Sequence, residues 1–239
     1  ISLVCISDTH NKKCLILDGD ILLHAGDLTQ YGFYDEIQVQ LLDEDFVNRH
    51  PDRELDKIGK SRSDIDWGDI IYLENTSVEV KCHCCVLKIY GSPMTPKCGS
   101  FAFQYSGSED FWENGIPKDT NIILTHGPPA LHLDEGKGCP DLLNEIWRTK
   151  PDLVVFGHIH NGRGQQLLQY DDVQAYYENI QLGRQPWTSL FKLFLTVIWQ
   201  KLRGNLLSVS GATGTHLVNA AIVAGRVNEE VREAMMIKM

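Results

Sequence analysis

The sequence predicts an α/β protein built on a parallel or mixed sheet, and three observations predict it. Short, mostly apolar or β-branched runs recur at residues 3–6, 21–23, 122–124 and 153–156, each the length of a buried strand. Segments with helical spacing lie between and after them. Each run leads into Asp or His, and open α/β sheets collect ligand-binding side chains where their strands end.

The first run continues as Ser7-Asp8-Thr9-His10, and residues two apart in near-extended backbone face the same side. A carboxylate and an imidazole are therefore aimed at one point. The second run ends in His24-Ala25-Gly26-Asp27, where Gly26 lets the backbone turn without a Cβ clash. His24, inside the apolar run, reads as a hydrogen-bonded core histidine. Residues 34–46 carry Ile37, Leu41 and Leu42 at helical spacing, and the charged stretch 50–69 reads as a solvated loop. Three β-like runs follow, at 69–73, 77–80 and 84–90, closed by Gly91-Ser92-Pro93. Cys82-His83-Cys84-Cys85 invites a zinc reading. Adjacent strand residues face opposite sides, however, and no second Cys pair stands at zinc spacing, so no structural zinc is expected.

The third run ends in Thr125-His126-Gly127-Pro128-Pro129, whose glycine and prolines stop the strand. Residues 139–149 predict a helix, with Pro140 in its first turn and Leu142, Leu143, Ile146 and Trp147 on one face. The fourth run enters Gly157-His158-Ile159-His160, again two ligand types on one side. Residues 171–203 read as mainly helical. Trp187, Leu190, Phe191, Phe194, Leu195, Ile198 and Leu202 form a wide stripe, expected to dock on the body of the protein. Peripheral membrane or partner contact through 187–202 is the alternative, because the stripe is unusually aromatic. The tail, 215–239, is expected to return strands to the sheet.

Composition narrows the class. The 239 residues are 43% apolar, and no run reaches the roughly 18 residues that span a bilayer. A net charge of −10 argues against a nucleic-acid polymer, whose phosphates need clustered Lys and Arg. It leaves room for a small phosphorylated substrate, since bound cations can supply local positive charge. Seven cysteines, an odd number placed in apparent core strands (Cys5, Cys84, Cys85) and loops, suit a reducing compartment. With no signal peptide legible, a cytoplasmic protein is expected.

Asp8, His10, Asp27, His126, His158 and His160 together offer six oxygen and nitrogen ligands, too many for one tetrahedral zinc. They suit a pair of divalent ions sharing a carboxylate, and the mixed His/Asp set fits Mn, Fe or Zn. Two such ions turn a bridging water into hydroxide and clamp both oxygens of an in-line phosphoryl displacement.

In that order, Asp-x-His, Gly-Asp, Thr-His-Gly and Gly-His-x-His resemble the calcineurin-like metallophosphoesterases. The wording His24-Ala-Gly-Asp27-Leu-Thr, Tyr90-Gly-Ser-Pro93, Thr125-His-Gly-Pro-Pro129 and Phe156-Gly-His-Ile-His160 is most similar to the metallophosphoesterase-domain-containing subgroup related to cyclic-nucleotide phosphodiesterases. The match covers about residues 1–165. The resemblance implies a four-layer α/β/β/α sandwich as a single domain over 1–239, with its core at about 1–165 and 205–239 and a helical insertion at about 171–204. It implies Asp8, His10 and His160 on a first metal, His126 and His158 on a second, and Asp27 as the bridge. Asp27 and His126 become the catalytic pair, with Asn11 and Gly127 facing substrate.

One departure stands out. The family's Gly-Asn-His motif, which follows a further strand and supplies an Asn to the second metal, is missing. Gln40 passes directly to Leu41-Leu-Asp-Glu-Asp-Phe46, and Asn48-Arg-His50 has the wrong spacing. Losing an interior strand leaves unpaired backbone groups and a core gap, so a gene-model or splice gap is expected over a working variant. The leading function is hydrolysis of a small phosphodiester, cyclic nucleotides included. The alternative is a catalytically impaired homologue that binds a nucleotide or a partner.

Overall fold

The computed structural model describes residues 1–30, 37, 65–99, 102–106, 111–202, 214–225 and 229–239. The helix expected at 34–46 and the junction after Gln40 lie outside them, apart from a helical Ile37, as do most of residues 50–69. Among the described residues the first strands are β1 (Ser2–Ile6), β2 (Ile21–His24), β3 (Thr76–Cys82) and β4 (Cys85–Ser92). Short β5 (Thr95–Pro96) and β6 (Gln104–Tyr105) precede β7 (Ile122–Thr125), helix α1 (Pro140–Thr149) and β8 (Leu153–Phe156). Then come β9 (Gly164–Gln169), α2 (Asp172–Gln181), α3 (Pro186–Leu202), β10 (Gly214–Asn219), β11 (Val223–Ala224), β12 (Glu230–Val231) and β13 (Met235–Lys238).

The apolar runs form strands, divided between two sheets. β1 and β2 pair in parallel, with Leu3 opposite Ile21, and β13 completes this small sheet antiparallel to β1. β7 and β8 belong to a six-stranded sheet in the order β3-β4-β7-β8-β10-β9, parallel at its centre and antiparallel at both edges. The pattern explains the pairing. Leu3, Cys5 and Leu23 of the small sheet share a core with Ile122, Leu153, Val155 and Val218 of the large one. The opposite face of the large sheet, through Tyr90, Ile123, Val154 and Leu217, packs on Leu142, Leu143 and Ile146 of α1. The outer face of β1, Val4 and Ile6, is covered by Cys14, Leu17, Ile222, Val223 and Ala234.

α1 starts where its sequence says it should. The Cys139 thiol accepts the Leu142 N–H at 3.3 Å, Pro140 follows at N1, and Lys150 ends the helix in left-handed backbone at φ 50°.

Several expectations need correction. Residues 69–73 are not a strand; Trp67 stacks on Tyr72 at 4.6 Å, and Leu73 fills the space a Cβ on Gly91 would need. β4 consequently runs through Gly91 to Ser92. Cys84 and Cys85 are exposed around the β3–β4 turn, not in the core. β9, with three glutamines in six residues, is an edge strand that its polarity concealed. The 171–203 region is two helices, parted at Gly183 with φ 68°, and the aromatic stripe of α3 faces outward instead of docking.

Candidate metal centre

The ends of β1, β2, β7 and β8, with their candidate ligands, meet where the two sheets abut. Ser7 bridges to Ala221, and Ile222 donates to the Ser7 carbonyl at 2.9 Å, which joins the end of β1 to the segment after β10. The Gly157 N–H donates to the His126 carbonyl at 2.9 Å, which ties the ends of β7 and β8.

Asp8 crosses the junction. Its buried carboxylate accepts the His158 backbone N–H at 2.9 and 3.1 Å and lies 3.2 Å from His160 Nε2. That approach requires a glycine at 157, where a Cβ would stand 2.0 Å from Asp8 Oδ2 and 2.1 Å from Ser7 Oγ. Asp27 is more open, its side chain 44% exposed, and its Oδ2 sits 3.6 Å from His10 Nε2 and 3.5 Å from His126 Nε2. His126 Nδ1 donates to the Ala25 carbonyl at 3.0 Å, which fixes the ring and turns Nε2 toward Asp27.

The imidazoles come in two pairs. The His10 and His160 rings are 5.4 Å apart, and the His126 and His158 rings 4.9 Å. Candidate ligand atoms of Asp8, His10 and His160 lie within 4.8 Å of one another, as do those of Asp8, Asp27 and His126. Asp8 is therefore common to both clusters, while His158 approaches through its ring contact with His126 and its backbone bond to Asp8. Asp8, His10, Asn11, Asp27 and His158 all have φ between 44° and 65°. Such left-handed residues outside glycine cluster at functional sites, and Asp, Asn and His tolerate them best.

Electrostatics follow from this crowding. Burial alone would raise the Asp8 carboxyl, but the His160 hydrogen bond and the charge of His126 outweigh it and hold it at about 2. Burial also raises Asp27, and His126 pulls it back below the ordinary carboxylate range. For His126 the balance reverses: burial disfavours the imidazolium, yet Asp27 and Asp8 lift it to about 9. Burial lowers both His10 and His158.

The residues fit divalent cations. Both ring nitrogens of His10 are buried without a hydrogen-bond partner, although Asp27 is 3.6 Å away. A buried, unpartnered imidazole beside carboxylates is the donor arrangement a cation would complete. His126 carries a proton at neutral pH that cation binding would displace.

His24 makes the hydrogen bonds expected of it but is half-buried rather than sealed in the core. It accepts the Gly26 N–H at Nδ1, 3.2 Å, and its Nε2 pairs with Thr9 Oγ1 at 3.1 Å. Asn11 donates its backbone N–H to the Leu28 carbonyl, and Gly127 accepts from Thr125 Oγ1 at 3.0 Å. Asn219 escaped the sequence reading. It donates to the carbonyls of Ile159 and Leu133 and accepts from Ala221, so it holds the His158–His160 turn from below. Its one signal is an amide inside an apolar strand. Asp20, Cys82 and His83 form a further cluster at the β3–β4 turn, where Asp20 is already engaged by Ser2 and His83.

No family model matches the chain. It is 38% identical, over 99% of its length, to "probable rhamnogalacturonate lyase C" of Emericella nidulans, and the match covers 24% of that protein. It is 31% identical to UPF0046 protein K07C11.7 of Caenorhabditis elegans, over 69% of this chain and 65% of that protein. It is also 31% identical to metallophosphoesterase domain-containing protein 1 of Homo sapiens, over 67% of this chain and 61% of that protein. The chain thus spans about a quarter of the first relative and less than two thirds of the other two. The first alignment runs over 262 residues against a chain of 239, so that relative carries residues with no counterpart here. With these relatives and the ordered ligand motifs, the chain belongs to a metallophosphoesterase-type family.

Proposed function

We propose that this chain is a binuclear-metal phosphoesterase acting on a small phosphodiester, cyclic nucleotides included. One observation carries the reading: a carboxylate oxygen of Asp27 lies midway between His10 and His126, each the member of a separate imidazole pair. Asp8, His10 and His160 would hold one ion, His126 and His158 the other, with Asp27 between them. Mn, Fe and Zn suit this set. When bound, such a pair supplies an activated water and neutralises charge in an in-line displacement at phosphorus.

The chain's own residues set the stage. The Ala25 carbonyl holds the His126 ring so that Nε2 faces Asp27, Gly157 admits Asp8, and Asn11 and Gly127, next to ligands in sequence, face the substrate. The acidic surface favours a small ligand over a nucleic-acid polymer. The chain reads as one domain, 1–239, of the four-layer α/β/β/α type. The cysteines of the described residues are unpaired, which supports a cytoplasmic location, and no described helix is long and apolar enough to cross a membrane.

A second reading, an impaired homologue that binds a nucleotide or a partner, is favoured by the small sheet. Among the described residues β1 is the one strand paired with β2, and Leu22 on β2 is half exposed. That is the edge a strand carrying the missing Gly-Asn-His motif would cover.

The test is hydrolysis of a chromogenic phosphodiester with and without Mn²⁺, beside His126→Ala. Metal-dependent turnover that the substitution abolishes is expected. No turnover from folded, metal-loaded protein would transfer the assignment to the binding role.

A further inference from the structure

α3 is built the wrong way round for a helix on a water-facing surface. The residues it turns inward, where it packs on α2, are the buried Ser189 and the half-buried Leu193 and Thr196. Its outward residues are Trp187 (81% exposed), Phe191 (63%), Phe194 (60%) and Leu202 (77%), with Leu190, Leu195, Ile198 and Trp199 among them. A surface helix normally buries the apolar stripe and shows the polar one. A continuous exposed apolar face of this kind marks an interaction site.

Its mount is rigid. The buried Glu178 of α2 accepts from Trp147 Nε1 at 2.6 Å and from Gln174 at 2.7 Å, and it pairs with His132 at 3.0 Å. Arg184, just ahead of α3, donates to Asn144 of α1 at 2.6 Å. The apolar face is therefore presented by helices fixed to the body.

Charge decides what covers it. All 32 acidic residues of the chain lie outside residues 179–228, a stretch that carries Arg184, Lys192, Lys201, Arg203 and Arg226. In a protein of net charge −10, the longest acid-free segment is the one that bears the apolar face. A two-fold dimer through this face would set the basic segment against its own copy, like charge on like. An anionic lipid surface satisfies both features, with apolar side chains entering the headgroup boundary and Lys192 and Lys201 of α3 meeting phosphate and carboxylate groups. The aromatic composition agrees, since Trp187 and Trp199 suit the water–hydrocarbon boundary. Seventeen residues make about 25 Å of helix, shorter than the hydrocarbon core, so α3 lies along the surface.

We propose that α3 is a membrane-docking helix that lays its Trp187–Phe191–Phe194–Leu202 face on an anionic lipid bilayer. The experiment is co-sedimentation of the full chain with phosphatidylcholine vesicles, with and without phosphatidylserine, followed in parallel by tryptophan emission. Binding at least about tenfold stronger to the anionic vesicles, weakened by salt and accompanied by a blue shift, is expected. Phe191→Ser with Phe194→Ser should cut binding roughly tenfold while the far-UV circular dichroism and melting temperature hold, because both rings are exposed in the free protein. Lys192→Glu with Lys201→Glu should erase the preference for phosphatidylserine. No sedimentation with anionic vesicles would overturn the proposal. So would a dimer in solution that the phenylalanine variant converts to monomer while vesicle binding stays absent.

Discussion

β7 and β8 each have hydrogen-bonded neighbours on both sides, whereas β2, among the described residues, has β1 alone. β8 is buried along its length, and β2 leaves Leu22 half exposed. The same contrast divides the candidate ligands. His126, His158 and His160 follow interior strands of the large sheet, and Asp27 follows β2, the edge strand of the small one among the described residues. Asp8 belongs to the small sheet but is gripped by the His158 backbone of the large one. The centre is thus half anchored in a rigid core and half borrowed from a sheet with an open side.

Gly157→Ala should break this arrangement most severely. A methyl group 2.0 Å from Asp8 Oδ2 has nowhere to go, so a loss of about 3 kcal/mol in chemical denaturation is expected, along with loss of bound metal by elemental analysis. Acid should come next. Burial holds His24 at about 4 against an ordinary 6.5, and the Gly26 N–H aimed at Nδ1 leaves no room for a second ring proton. The unfolded chain takes up that proton below 6.5 and the folded chain not until about 4. Stability therefore falls as pH drops through that window, by at most about 3 kcal/mol. His24→Gln should flatten the slope of a pH-resolved denaturation series by close to one proton.

Asn219→Leu should cost about 2 kcal/mol, because two carbonyls and an N–H lose their partner beneath the His158–His160 turn. Here metal affinity should fall more than the fold does, a split that titration calorimetry beside thermal melting would resolve. The smallest effect sharpens the comparison directly. Leu22→Thr on β2 should stay within about 0.5 kcal/mol, while Val154→Thr on β8 should cost about 2 kcal/mol for a hydroxyl in a sealed core. Equal costs would mean that the β2 side is as enclosed as the β8 side.

What the sequence disclosed divides along the same physical lines. The four apolar runs, α1 and the six strand-end Asp and His residues that the fold draws together were legible because each is encoded within about ten residues, by period, cap or strand-end spacing. Their division between two sheets was not, because a run such as Leu3–Ile6 looks the same whichever neighbour it pairs with. β9 was hidden by its glutamines, which an edge strand can afford to show to water. The outward face of α3 was misread for a different reason: periodicity reveals that a stripe exists, not which side of it the body occupies. Asn219 was invisible because its meaning depends on carbonyls 60 and 86 residues away.

The left-handed residues at the strand ends carry one last consequence, for anyone wishing to move this centre to another scaffold. Asp8, His10, Asp27 and His158 are four of the six proposed ligands and are also residues whose main chain takes the unusual turn. Transplanting their side chains onto regular strands would reproduce the donor types and lose the directions in which they point. The transferable unit is the turn together with its side chains, three short hooks after β1, β2 and β8, each of which brings its own curvature.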